Sequence, residues 1–173
     1  MSFPATHLSV ATALLVVAAL WDVRKRKIPN LLSAALGMIG LVARADLRGW
    51  GALASGLMAA FAVIALLWLA WAKGRIGGGD VKLAAAAATW VGLAGLPMYL
   101  LFSAVAGGAV AVVSYLLSSR AVRTEMRGNL AIAAHGFGLP DAPIRGVDGR
   151  VSVPYGVGAV VGALVVLWSE GRW

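Results

Sequence analysis

From Gly51 to Ala72 the chain runs without a single charged residue. That run constrains the fold more than any other feature. A helix on the surface of a soluble domain carries a polar face, and this segment offers none. Roughly 20 apolar residues are what a helix needs to cross the ~30 Å hydrocarbon layer of a membrane. Backbone amides in that layer must bond within their own segment, so a helix is the expected conformation.

Five other apolar segments follow the same pattern. They run from about Ala5 to Trp21, Leu31 to Ala43, Val81 to Leu96, Met98 to Leu117 and Val153 to Trp168. Pro29 and Pro154 stand at the starts of two of them, where a helix tolerates proline. The composition agrees: 61% of residues are hydrophobic and 13% charged, about half the charged share of a soluble domain. The expectation is an all-α integral membrane protein of about six transmembrane helices. It forms a single domain over residues 1–173, without internal repeats. Its one long polar stretch is a loop at about 118–152. In that loop Val122, Met126 and Leu130, spaced by four, suit a short amphipathic helix, and 136–149 is rich in glycine and proline.

Charge orients the bundle. A secretory signal carries its basic residues ahead of the apolar stretch, whereas Arg24, Lys25, Arg26 and Lys27 follow the first one. The first segment is therefore read as a retained span. With the N-terminus outside, the inner segments hold those four residues and Lys73, Arg75, Lys82, Arg120, Arg123, Arg127, Arg145 and Arg150. The outer segments hold only Arg44, Arg48 and Arg172. This asymmetry is the positive-inside pattern. It predicts a bacterial cytoplasmic (inner) membrane protein with both termini in the periplasm. The net charge of +8 is then a topological signal, and no nucleic acid partner is expected.

Some chemistry is excluded. There is no cysteine, so disulfides, thiolate catalysis and cysteine-based zinc sites are ruled out. The two histidines, His7 and His135, are far apart in sequence, which disfavours a histidine metal cage or a Ser-His-Asp triad. No metal or organic cofactor is expected.

The same topology places two acids together. The first span descends to Asp22 and the fourth rises from just after Asp80, so both carboxylates lie at the cytoplasmic membrane edge. Ionisable residues at the ends of spans are costly unless solvated and are functional candidates. Two carboxylates that share a proton titrate as a unit, with apparent pKa values driven apart. The ionised partner can act as general base on a water while the protonated one donates to a carbonyl oxygen. Peptide hydrolysis by aspartic proteases divides labour in this way. Gly77, Gly78 and Gly79 precede Asp80. Glycine permits backbone conformations closed to other residues, and close approach of an extended substrate strand. A plain turn between spans explains the same glycines equally well.

Other residues have simpler accounts. Lys82 could tune the acid pair or meet a lipid phosphate, but snorkelling to the inner face suffices. The run Arg24–Lys27 fixes topology and meets anionic lipid. Glu125, Asp141, Asp148 and His135 fit a solvated loop. Trp50, Trp71, Trp90 and Trp168 stand near span ends, where tryptophan anchors at the interface. Gly107, Gly108, Gly158 and Gly162 suit close helix packing. A proton-coupled transporter or channel subunit using Asp22 and Asp80 as a relay is the main rival from another class. Relay acids more often lie near mid-membrane on broken helices. A catalytically silent scaffold is a second rival.

The stretch Gly77-Gly78-Gly79-Asp80-Val81-Lys82-Leu83 resembles the second catalytic motif of type IV prepilin peptidases, a group of GxGD aspartic membrane proteases. Asp22, followed by the basic run and Ile28-Pro29-Asn30, resembles the first. Val153-Pro154-Tyr155-Gly156 is similar to the opening of that family's last span. The resemblance covers essentially the whole chain in order and spacing. It implies an aspartic endopeptidase that removes the basic leader from prepilins or pseudopilins at the cytoplasmic face, with Asp22 and Asp80 as the catalytic pair. Gly77, Gly78, Gly79 and Lys82 would form the active-site loop, and the pilus assembly machinery is an implied partner. Larger members carry an extra N-terminal cytoplasmic domain, often with zinc-binding cysteines, and methylate the new N-terminus. The cysteine-free chain and early first span resemble instead the short type serving Flp pili of Tad systems, which puts N-methyltransferase activity outside the expectation.

Overall fold

The computed structural model describes residues 5–25, 28–73, 76–119, 123–124 and 155–170. Arg26, Lys27, Arg75, Val122, Met126, Leu130, His135, Pro154 and the acids Glu125, Asp141 and Asp148 lie outside them. The described residues form five helices and no strand: α1 (Ala5–Lys25), α2 (Asn30–Arg48), α3 (Trp50–Ala72), α4 (Gly78–Leu117) and α5 (Tyr155–Glu170). The first four are long and apolar enough to cross a membrane. Large apolar side chains face outward along the bundle, among them Val10, Leu31, Met38, Phe61, Trp68, Leu101 and Leu117. In hydrocarbon such a surface carries no penalty, because lipid tails are as apolar as leucine.

The 40 residues of α4 do not make one straight rod. Gly92 has φ 72° and ψ 179°, a left-handed backbone that glycine adopts without steric cost. The Tyr99 hydroxyl donates to the Ala84 carbonyl at 3.0 Å. In a continuous helix these residues would stand about 22 Å apart, far beyond the reach of a tyrosine. The arms 78–91 and 93–117 therefore fold back on each other at Gly92. The sequence places this break five residues later, between Leu96 and Met98. Pro97 instead lies inside the second arm, one residue past its first turn, so its missing N–H forfeits a single helix bond.

The first arm is the hub. Residues 83–92 are all buried, behind α2, α3, α5 and the second arm. The run Ala84–Ala88 explains why: small side chains let neighbouring backbones approach from every side. At about 21 Å for 14 residues, this arm is shorter than the hydrocarbon layer, whereas the second reaches about 37 Å.

Polar groups lock the turn. Arg44 is 5% exposed. Its Nη1 donates to the Trp90 carbonyl and its Nε to the Ala52 carbonyl, both at 2.9 Å. The N–H of Leu93, which begins the second arm, donates to Ser55 Oγ at 3.0 Å, and Trp90 Nε1 donates to the Leu36 carbonyl at 2.9 Å. Arg44 is thus not the outer-loop charge expected from sequence. The second apolar segment continues as helix to Arg48, and only Gly49, at φ 76°, separates it from α3. A buried guanidinium is stable here because it satisfies the Trp90 carbonyl, which the end of the first arm leaves open, and shares the Ala52 carbonyl at the start of α3.

Candidate active site

At the opposite end of the bundle the chain gathers Asp22, Ile28, Asp80 and Gly156. Asp22 lies on the last turns of α1 and is 5% exposed. Asp80 sits in the first turn of α4. Gly77 caps that helix with φ −68° and ψ 139°, and its carbonyl accepts from the N–H of Asp80 at 3.1 Å. The Asp80 carboxylate in turn accepts from the N–H of Gly77. An acid three residues past the cap commonly closes a helix start in this reciprocal way.

Capping alone does not describe Asp80. Its carboxylate also accepts from the N–H of Gly156, in the first turn of α5, and it interacts electrostatically with Asp22. A methyl group on Gly156 would stand 2.7 Å from Asp22 Oδ2 and 3.2 Å from Ile28 Cδ1. Both carboxylates therefore converge on one glycine. The two acids, 58 positions apart in a chain numbered 1–173, face each other because α1, α4 and α5 all place an end here.

The glycines before Asp80 act through space rather than through unusual backbone. Among the described residues only Gly49 and Gly92 have positive φ, so the expectation of special backbone at Gly77–Gly79 is corrected. A Cβ on Gly77 would crowd Asp80 Oδ2 at 3.0 Å, and one on Gly78 would meet Trp71 Nε1 at 3.0 Å. One on Gly79 would make only ordinary contact with Ile28 Cβ, at 3.5 Å.

Lys82 donates to Asn30 Oδ1 at 3.0 Å. It joins the start of α4 to the start of α2. Beside the acids a cleft of about 450 Å³ opens, lined by Trp21, Lys25, Ile28, Pro29 and Asn30. Ile28 links cleft and acids, since it touches the positions of both Gly79 and Gly156. Charge and span order pair Asp22 with Asp80 in the sequence but give no role to Ile28, Asn30 or the Gly156 amide. The Ile-Pro-Asn and Pro-Tyr-Gly stretches were the available signals. Among the described residues no cluster of three or more potential metal ligands occurs.

Comparison with known proteins points the same way. The model of the type IV leader peptidase family matches residues 9–112, a stretch that holds both Asp22 and Asp80. A prepilin leader peptidase/N-methyltransferase of Escherichia coli K12 is 38% identical over 110 residues, covering 60% of this chain and 48% of the relative. One of the same description from Neisseria gonorrhoeae is 30% identical over 118 residues, covering 64% and 41% respectively. The chain spans about half the length of the curated relatives it matches. No solved structure matches it significantly. With more than half of its residues matched, the chain belongs to the type IV leader peptidase family.

Proposed function

We propose that the protein is a membrane aspartic endopeptidase that removes the leader from type IV, Flp-like prepilins or pseudopilins at the cytoplasmic face of a bacterial inner membrane. The observation that carries this reading is the convergence of Asp22 and Asp80 on Gly156 beside an open cleft. Family membership supports the substrate class. Six apolar segments, counting the two arms of α4 separately, support the six-span topology with the N-terminus outside.

In this mechanism the pair holds one proton. The ionised carboxylate takes a proton from a water, whose oxygen attacks the scissile carbonyl carbon. The protonated carboxyl hydrogen-bonds to the carbonyl oxygen as negative charge develops there. Collapse of the tetrahedral intermediate breaks the C–N bond, and the leaving amine gains a proton from the pair. The N–H donors of Gly77 and Gly156 hold Asp80 in place, so the acid need not reorganise during the reaction. Cleavage alone is proposed for this chain, which has no cysteine and so no cysteine-based zinc site.

Co-expression with a prepilin from the same genome tests the reading, with leader removal followed on a gel. Asp22→Asn and Asp80→Asn, made separately, should each abolish processing. Normal processing by either variant sinks the two-acid mechanism.

A further inference from the structure

Asn30 stands first in α2 and lines the cleft beside the acids. Asparagine is a poor helix former whose side chain more often caps a helix. It does not cap here: Pro29 holds that position, without a side-chain hydrogen bond. Its Oδ1 instead accepts from Lys82 Nζ at 3.0 Å. An ammonium only donates, so this contact fixes which end of the amide faces Lys82. The Nδ2 group keeps its pair of N–H donors, and no described residue accepts from it.

The other cleft residues narrow the role. Ile28 is apolar, and Pro29 has no N–H. Trp21 and Lys25 carry side-chain donors, but no hydrogen bond to a described residue holds either of them. Asn30 is thus the lining donor whose orientation a hydrogen bond sets. Its place in the chain keeps it near the acids. Ile28 touches the positions of Gly79 and Gly156, and two residues of chain span at most about 7 Å. A peptide cut at the acids is extended, at ~3.3 Å per residue. Its carbonyls need donors wherever the enzyme takes them out of water.

We propose that, in the leader-peptidase function on which this role rests, Asn30 binds the substrate: its Nδ2 donates to a backbone carbonyl of the prepilin within about three residues of the scissile bond, and Lys82 is the positioning residue that turns that nitrogen toward the cleft.

Cleavage of a purified prepilin by the full chain in proteoliposomes tests the role, with kcat and KM measured separately. Asn30→Asp is the deciding variant, because its carboxylate still accepts from Lys82 but donates nothing. A hydrogen bond made equally to bound and reacting peptide lowers KM without changing kcat. Its loss should raise KM about five-fold in both Asn30→Asp and Asn30→Ala, with kcat within about two-fold of wild type. Lys82→Met leaves the amide free to turn and should raise KM about two-fold, an effect that Asn30→Ala should mask in the double variant. Wild-type KM in Asn30→Asp overturns the proposal, because the tie to Lys82 would then account for Asn30. A loss confined to kcat in both Asn30 variants overturns it as well. Asp22→Asn in the same assay separates this role from the function beneath it. If Asp22→Asn still cleaves, the acid mechanism falls and the Asn30 role falls with it. If Asp22→Asn is inactive while Asn30→Asp keeps the wild-type KM, the Asn30 role alone falls.

Discussion

Gly156→Ala isolates the geometry of the acid pair without touching either acid. The new methyl would stand 2.7 Å from Asp22 Oδ2, 3.1 Å from its Cγ and 3.2 Å from Ile28 Cδ1. Non-bonded heavy atoms settle near ~3.5 Å or beyond, so the carboxylate or the start of α5 must give way by roughly 0.5–1 Å. The Gly156 N–H, which Asp80 accepts, moves with that adjustment. A misplacement of about 1 Å at a reacting group can cost ~100-fold in rate, or ~2.7 kcal/mol of barrier. We expect kcat for leader cleavage to fall about 30- to 100-fold, with KM changing by less than about three-fold. Gly79→Ala is the matched control. It also adjoins the acids, but its methyl would meet Ile28 Cβ at 3.5 Å, an ordinary contact, and alanine suits a helix better than glycine. Its rate should stay within about two-fold of wild type. The assay is cleavage of a purified prepilin by enzyme in proteoliposomes, with thermal stability measured in parallel. A folded Gly156→Ala enzyme within about three-fold of wild type would refute the packing argument. Equal impairment of the two variants would also refute it, by showing a general glycine effect.

Three further predictions follow from the contacts described. Asp80→Asn and Asp80→Ala should both be inactive, but only alanine also removes the acceptor for the Gly77 and Gly156 N–H groups, so it should lower stability by about 1 kcal/mol relative to asparagine in thermal melts. Lys82→Met and Asn30→Ala each break the tie between α4 and α2; each should slow cleavage about two- to five-fold, and the double variant should be no slower than the worse single one. Arg44→Met orphans the Trp90 carbonyl, which should cost about 1–3 kcal/mol in detergent unfolding. Arg44→Lys should restore little of that, since one ammonium does not reproduce the planar fork of donors.

The acid pair was legible because charge asymmetry fixes which span ends share a membrane face. Two aspartates at such ends stand out in a chain with only seven acidic residues. Gly156 was far less legible. Its contribution is a backbone N–H and a missing side chain, which any residue and any glycine respectively could supply. The break in α4 was misplaced for a related reason. Proline is a strong local signal and Gly92 a weak one among 22 glycines, yet the turn forms where other helices can satisfy its open carbonyls and amides. Those partners, Arg44 and Ser55, lie 48 and 37 positions before Gly92. A buried guanidinium that binds carbonyls is indistinguishable, in one dimension, from a loop charge.

The distance between the two ends of the bundle gives the lock at Gly92 its mechanical meaning. Asp80 rides on an arm whose middle, Ala84–Ala88, is made of small residues, and small residues interdigitate weakly, so packing of that middle alone resists sliding poorly. Displacing the arm by one residue along its axis would move Asp80 by about 1.5 Å, more than an acid pair tolerates. Directional contacts resist that motion. Arg44 and Ser55 grip the far end of the arm, Tyr99 ties its middle to the returning arm, and Lys82 pins its near end to α2. A loosened grip at Gly92 should therefore reach the acid pair about 21 Å away. Gly92→Ala supplies that perturbation, since its methyl would press on the Arg44 guanidinium in a left-handed backbone. Slower cleavage by a still-folded Gly92→Ala enzyme is the expected result. Unchanged kinetics would show that the arm is held at Asp80 alone.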